Sequence, residues 1–261
     1  MNVSLIITTY NRPDALSVVL KSIELQSLLP DEIIIADDGS GDSTKNCITS
    51  FQKTSTIKLI HSWQIDNGFR AAESRNKAIA RSSYEYIILV DGDMILHHNF
   101  IEDHIKNSQL GFFVQGARVF LNQDTTKNSL IKSKTNFSFF SKGLSNRKNS
   151  IHSIFFANLF ASKKNNLLGV KSCNLAFYKK DCIEVNGFNN DIVGWGREDS
   201  EFLSRLINNG ISRKNMHFSM IQFHLWHLNS KRDFLVKNEE TLQNTINKQI
   251  KWCDNGLNKF L

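Results

Sequence analysis

The run Ile87 to Val90 is uninterrupted aliphatic and stops at Asp91-Gly92-Asp93. Four aliphatic residues without polar alternation predict a strand buried on both faces, which belongs in a parallel sheet covered by helices. The two acids then fall just past its carboxyl end, where open α/β sheets hold their ligands. Carboxylates that close repel by roughly 4 kcal/mol at an effective dielectric of about 20, and a cation resolves the repulsion. Hard oxygen ligands suit Mg²⁺ or Mn²⁺, which also bind phosphate oxygens. An exposed Asp-Gly turn is the plainer alternative, and the rest of the chain has to decide.

The preceding segments repeat the arrangement. Val3 to Ile7 reads as a strand ending in Thr8-Thr9-Tyr10-Asn11-Arg12-Pro13. Pro13 opens a helix whose Leu16, Val19, Leu20 and Ile23 follow the i, i+3, i+4, i+7 rule, and Pro30-Asp31 stops it. Ile33 to Ala36 is a second buried strand, ending in Asp37-Asp38-Gly39-Ser40 at the distance of about 30 residues that a βαβ unit requires. Ser43 to Phe51 predicts a helix, Ile57 to Ile60 a strand, and Ala71 to Ala80 a helix leading into the central strand. Thr8, Asp38, Arg75 and the Asp91/Asp93 pair are therefore expected on one rim of the sheet. Hydroxyl, carboxylate and guanidinium groups together suit a nucleotide diphosphate and its metal. Without such a rim, Arg75 is a surface helix residue and Asp38 only a turn former.

Bulk properties narrow the class. A chain of 261 residues can bury a sizeable core, and it contains no internal repeat. Neither a signal-peptide pattern nor an apolar run of about 20 residues occurs, so the expected location is cytoplasmic, or peripheral at the inner face of the cytoplasmic membrane. Cys47, Cys173, Cys182 and Cys253 lack metal-ligand spacing and fit reduced structural thiols. Net charge is +7, and residues 122–168 carry all of it, with eight Lys/Arg (Lys127, Lys132, Lys134, Lys142, Arg147, Lys148, Lys163, Lys164) against Asp124. Phe137, Phe139, Phe140, Phe155, Phe156 and Phe160 lie among these cations. That mixture predicts an anionic membrane surface as partner, and no nucleic-acid motif accompanies it; the alternative is a loop whose Phe residues fill the core.

The ordered set "SLIITTYNRPDAL", "EIIIADDGS", "NGFRAAESRNKA" and "YIILVDGDM" closely resembles the family-2 glycosyltransferases of GT-A fold, over roughly the first 100 residues. The resemblance implies a Rossmann-like, mixed but mainly parallel sheet flanked by helices in one globular unit. It implies a uracil and ribose pocket lined by Thr8 to Tyr10, with Asp38 on uracil, Arg75 near the nucleotide, and Asp91 and Asp93 on ribose and metal.

The second half regains order after the basic segment. Phe100 to Gln109 predicts a helix and Gly111 to Val119 one strand; later, Cys173 to Tyr178 predicts a strand and Lys179 to Val185 a helix. Gly194-Trp195-Gly196-Arg197-Glu198-Asp199 precedes a helix with Phe202, Leu203 and Leu206 that stops at Gly210. Asp199 qualifies as the N-cap of that helix and Glu198 as a dipole-compensating acid, but neither role explains a tryptophan between glycines. This half resembles β-1,4-galactosyltransferases and bacterial chondroitin-type polymerases. The resemblance implies that Trp195 contacts sugar, Glu198 binds donor or acceptor hydroxyls, and Asp199 is the general base. Arg197 and Ser200 depart from the galactosyltransferase pattern, which leaves the donor sugar open. In "IQFHLWHLNSKRD" the matching metal pair makes His227 the better-supported ligand and His224 a substitution for a thioether, and imidazole favours Mn²⁺ over Mg²⁺. Asp233 to Cys253 predicts an amphipathic helix with Leu235, Leu242, Ile246 and Ile250 inward.

The expected organisation is a nucleotide-sugar-binding half (1–120), a basic Phe-rich insert (121–168) and an acceptor-binding, catalytic half (169–261). The expected activity is an inverting, metal-dependent transfer from a UDP-sugar to a hydroxyl of a bacterial surface glycan, free or lipid-linked: lipopolysaccharide, O-antigen or capsule. A nucleotidyltransferase is the rival enzyme, although Thr8 to Pro13 lacks the glycine-rich basic loop such enzymes carry, and a non-catalytic glycan- or membrane-binding module is the rival outside enzymes.

Overall fold

The computed structural model describes residues 1–228 and 232–261. The first half runs through β1 (Val3–Thr9), α1 (Pro13–Glu24), β2 (Glu32–Asp37), α2 (Asp42–Thr54), β3 (Lys58–Trp63), α3 (Ala71–Arg81), β4 (Tyr86–Asp91), β5 (Met94–Leu96), α4 (Phe100–Asn107), β6 (Phe112–Gln115) and β7 (Arg118–Leu121). It continues through α5 (Gln123–Lys132), β8 (Leu144–Ser145), α6 (Ile154–Phe160), β9 (Ser162–Lys164), β10 (Asn174–Tyr178), α7 (Lys179–Glu184), α8 (Glu198–Asn208), β11 (Ser212–Asn215), β12 (Gln222–His224) and α9 (Leu235–Asn247).

Eight strands form the main sheet in the order β3-β2-β1-β4-β10-β6-β11-β9. Strands β1 to β4 are mutually parallel, and β10 enters antiparallel between β4 and β6. Because side chains alternate across a strand, the aliphatic runs feed two cores at once. Ile33, Ile35, Ile88 and Val90 meet α1, α2 and α4 on one face, through Leu16, Ile48 and Phe100. Ile34, Ile87 and Leu89 meet α3, α7 and α8 on the other, through Ile79, Cys182 and Phe202. Each fully buried aliphatic side chain contributes about 1.5–3 kcal/mol, which is why uninterrupted runs beat any alternating register here. The register pairs Thr8 with Asp91 and Thr9 with Asp37, so the polar strand ends finish at one rim.

Four departures from expectation have local causes. Helix α1 ends at Glu24, well before Pro30, because Gln26 turns the chain: its amide donates to the Ser22 and His97 carbonyls and accepts from the Ile101 N–H. The single strand expected over Gly111 to Val119 is two strands in different sheets, β6 in the large sheet and β7 in a smaller one ordered β5-β12-β7-β8. Asn174 enforces the break by donating to the Ala117 and Met220 carbonyls at 3.0 and 2.7 Å. The basic segment is not a bare loop: α5 is capped by Asn122, whose side chain accepts from the Thr125 N–H, and Phe137 packs on Phe223 in the core, 5.0 Å between rings. Finally, α9 ends at Asn247, so Ile250 lies beyond it and Ile246 is exposed; the inward face is Asn238, Leu242 and Thr245.

Candidate active site

The rim carries a cavity of about 850 Å³ lined by Thr8, Tyr10, Asp38, Arg75, Asp91 and Asp93 from the first half and Trp195, Glu198, Asp199 and His227 from the second. Gly92 sets the spacing of the acids. Its N–H donates to the Thr8 carbonyl at 2.7 Å, and a Cβ there would stand 3.0 Å from that oxygen, so any other residue between the acids would push the β4 end off β1 by a few tenths of an ångström.

Asp91 and Asp93 point to different partners. Arg75 is buried and bridges the two halves of the site: Nε donates to Thr8 Oγ1 (3.2 Å), one terminal nitrogen to Asp91 Oδ1 (3.3 Å), the other to Glu198 Oε1 (3.1 Å). It is a central strut and not a surface helix residue. Burial raises the Asp91 carboxyl's pKa, with Arg75 opposing and the charges of Asp93 and Glu198 adding to the rise. Asp93 instead faces His224 and His227, whose Nε2 atoms lie 3.3 and 3.2 Å from its Oδ2 and 3.2 Å from each other. Burial would raise this carboxyl, but the hydrogen bonds and charges of the two imidazoles outweigh it and hold it well below the usual range. Asp93 Oδ1 is buried without a hydrogen-bond partner among the described residues.

Two imidazoles and a carboxylate, with all three ligand atoms within 4.8 Å of one another and an orphaned carboxylate oxygen, fit a divalent cation of borderline character. Asp91, expected to assist, is turned to Arg75, and His224 stands level with His227. The two arrive from β12 and the residues after it. β12 pairs antiparallel with β5, where His224 lies opposite Met94, one residue past Asp93.

Asp38 accepts from the Arg70 N–H and the Gln64 amide, both at 2.7 Å; burial nevertheless pushes its pKa up to about 6. Tyr10 is half exposed at the mouth and donates to Asp66. Arg197, with φ of +78°, precedes α8, so Asp199 lies inside the first turn and is not the cap. Asp199 Oδ1 accepts from the Ser200 N–H (2.7 Å) and Oδ2 from the Ser172 N–H (3.3 Å). Burial, reinforced by the charge of Glu198, raises its pKa to about 6. Helix α8 is anchored by the buried Glu201–Arg205 pair, whose guanidinium also reaches the Val185 and Gly187 carbonyls.

Sequence reasoning missed the scaffold of the Gly194–Arg197 loop. Asn238 on α9 donates to the Val193 and Gly196 carbonyls, both at 3.0 Å, while Glu239 pairs with Arg197. Gly194, with φ of +74°, lies where a Cβ would strike Phe234 at 2.5 Å. Trp195 is partly exposed over the cavity with the Arg232 guanidinium 5.1 Å from its ring. No signal in the sequence marks Asn238, since its partners are backbone atoms 42 and 45 residues away.

A family model described as Glycosyl transferase family 2 matches residues 4–172, and one described as the N-terminal domain of galactosyltransferase matches residues 157–227. Among curated proteins, a hyaluronan synthase of Pasteurella multocida is 28% identical over 230 residues, covering 80% of this chain and 23% of that protein. A chondroitin synthase of Escherichia coli is 26% identical over 233 residues, covering 79% of this chain and 32% of that protein. This chain thus spans a third or less of these relatives' length. Among solved structures, S. aureus TarS 1-349 in complex with UDP superposes with a TM-score of 0.63 at 15% identity, covering 93% of this chain and 64% of that one. This likeness carries the GT-A fold.

Proposed function

This chain belongs to glycosyl transferase family 2, and from that premise we propose that it transfers a sugar from a UDP-sugar to a hydroxyl of a glycan with inversion at the anomeric carbon. The observation that carries the reading is that one cavity is lined by Asp93 and His227, which with His224 form a cluster of cation-ligand geometry, and by the half-buried carboxylate of Asp199. Asp38, Arg75 and the Thr8 to Tyr10 segment would hold uracil, ribose and phosphate. Mn²⁺ on Asp93, His224 and His227, with Mg²⁺ as the alternative, would neutralise charge that develops on departing UDP. Glu198, oriented by Arg75, would bind sugar hydroxyls, and Trp195 would offer its ring face to the sugar. Asp199 would take the proton of the attacking hydroxyl. A single displacement turns a UDP-α-sugar into a β-linkage. The test is UDP release across a panel of UDP-sugars with Mn²⁺ and with chelator. At least one sugar should release UDP only with the metal, and release independent of metal for every sugar would refute this reading.

The acceptor reading extends to a bacterial surface glycan carried at an anionic membrane. Among the described residues no helix is long and apolar enough to cross a bilayer, but α6 presents Ile154, Phe155, Leu159 and Phe160 to solvent, with Phe155 71% exposed. Exposed Lys163 and Lys164 follow, and the chain carries no acid from Thr125 to Lys180, so the patch complements an anionic surface. The proposed membrane contact over residues 122–168 excludes Phe137, which is core, and includes α6, β9 and the exposed Phe140. Two apolar side chains inserted at about 1.5–3 kcal/mol each, and two lysines at about 1 kcal/mol each, predict a loss of roughly 100-fold or more in vesicle binding. Sedimentation with anionic liposomes should therefore fail for Phe155→Ser/Leu159→Ser and weaken for Lys163→Gln/Lys164→Gln; equal binding to neutral and anionic vesicles would sink the idea.

A further inference from the structure

Two cations in the cavity wall have no use in the transfer described above. Arg118, at the start of β7, and Lys171 both line the cavity. The Arg118 guanidinium lies 4.5 Å over the Phe120 ring, which packs edge-on against His224 at 5.4 Å. Its polar partner among the described residues is the Cys173 thiol at 3.5 Å, a weak acceptor, and its Nε is buried with none. Lys171 precedes Ser172, whose N–H donates to Asp199 Oδ2, so the lysine stands one residue from the group that holds the base. Neither cation forms an ion pair among the described residues, whereas the buried Arg75 and Arg205 do. Burial pushes the Lys171 ammonium's pKa down, and the positive charge of Arg118 adds to it. The charge of Asp199 relieves Lys171 only in part, so two half-buried like charges with no direct ion pair are costly, and an anion from outside the chain offsets them.

Resting on the transferase reading, we infer that Arg118 and Lys171 form an anion subsite beside Asp199 and that the acceptor sugar carries a carboxylate or phosphate. A planar guanidinium and an ammonium lining one cavity from different segments offer several N–H donors to such a group, and they fix the acceptor by its charge while Asp199 addresses its hydroxyl. A neutral sugar would leave both cations unmatched and bind more weakly. The subsite deepens the proposed function by naming an acidic or phosphorylated acceptor, and it leaves the linkage to other contacts.

The test uses methyl β-glucuronide, glucose 6-phosphate and methyl β-glucoside as probes in ligand-observed NMR, with and without UDP and Mn²⁺, beside calorimetric UDP titrations. One of the two anionic probes should bind about tenfold or more tighter than the glucoside, as expected for charge-assisted hydrogen bonds, and the better of the two identifies carboxylate or phosphate. Lys171→Met and Arg118→Met should each erase that preference, Lys171→Arg should keep most of it, and UDP affinity in Mn²⁺ should stay within about twofold, which also certifies the fold. Equal binding of all three probes would overturn the subsite. Loss of UDP affinity in the Met variants, with probe preference intact, would assign these cations to the donor diphosphate and overturn it as well. A parent protein that binds no UDP in Mn²⁺ would remove the transferase reading itself, a failure distinguishable because the probes are also titrated without nucleotide.

Discussion

Asp199→Asn is expected to lower kcat by about 10²- to 10⁴-fold, the usual share of general-base catalysis, while UDP affinity in Mn²⁺ changes little. The substitution keeps the shape and can still accept a hydrogen bond from the Ser200 or Ser172 N–H, but no group remains to take the acceptor's proton. Because Asp199 sits inside the first turn of α8 and Arg197 occupies the cap position, no capping loss confounds the comparison. The same carboxyl predicts a pH dependence. Burial sets its pKa at about 6, and a general base acts ionised, so on the proposed reading kcat/KM, which reports the free enzyme, should rise with pH through that value and level off above it. The sign for stability is opposite: a carboxyl whose pKa is raised on folding favours the folded state at low pH, and that contribution is lost as pH climbs past about 6. A variant that is folded by circular dichroism and transfers sugar within a few-fold of the parent would dismiss Asp199 and turn attention to Glu198.

Asp93→Asn should abolish metal-dependent UDP binding, with affinity in Mn²⁺ falling by at least about 100-fold toward the value measured in chelator. Loss of an outer-shell partner at a metal site already costs about 10- to 100-fold, and on the proposed reading Asp93 is a direct ligand with the only negative charge of the three, so its loss should cost more. The two imidazoles that now donate to Asp93 Oδ2 would lose their anionic partner, and the hydrogen bond that raises the His227 pKa would weaken. Thermal unfolding without metal should change far less than UDP affinity, because the cluster lies at the cavity edge and outside the hydrophobic clusters. Calorimetry in which the variant keeps the parent's metal-dependent affinity would exclude the cluster as the cation site.

Much of this could be read in the chain before any fold was seen. The aliphatic runs Ile33 to Ala36 and Ile87 to Val90 could satisfy themselves only by burial on both faces, and each ended in polar residues that had to surface at a strand end. Their order therefore implied the rim, and the structure puts Thr8 against Asp91 in register. Amphipathic helices such as α1 followed from their 3.6-residue period for the same reason. The loop at Gly194 to Asp199 was conspicuous because a tryptophan between glycines had no packing excuse.

What the sequence by itself determined were features governed by local periodicity and by residues whose chemistry is costly to bury: the buried parallel strands and the acids at their ends. What only the tertiary structure decided were pairings between distant segments. Asn174 splitting β6 from β7, Asn238 holding the Gly196 carbonyl, and Arg75 taking Asp91 from the cation cluster each join residues 16 to 123 positions apart, counting the Arg75–Glu198 bridge. The inward face of α9 departs from its apolar period because the helix packs Asn238 and Thr245 against polar partners, Thr245 donating to Glu201, so burial there follows hydrogen bonds as well as the apolar Leu242. A single hydrogen bond contributes only about 1 kcal/mol and leaves no periodic trace along the chain, so its partner is fixed only when packing brings the two segments together.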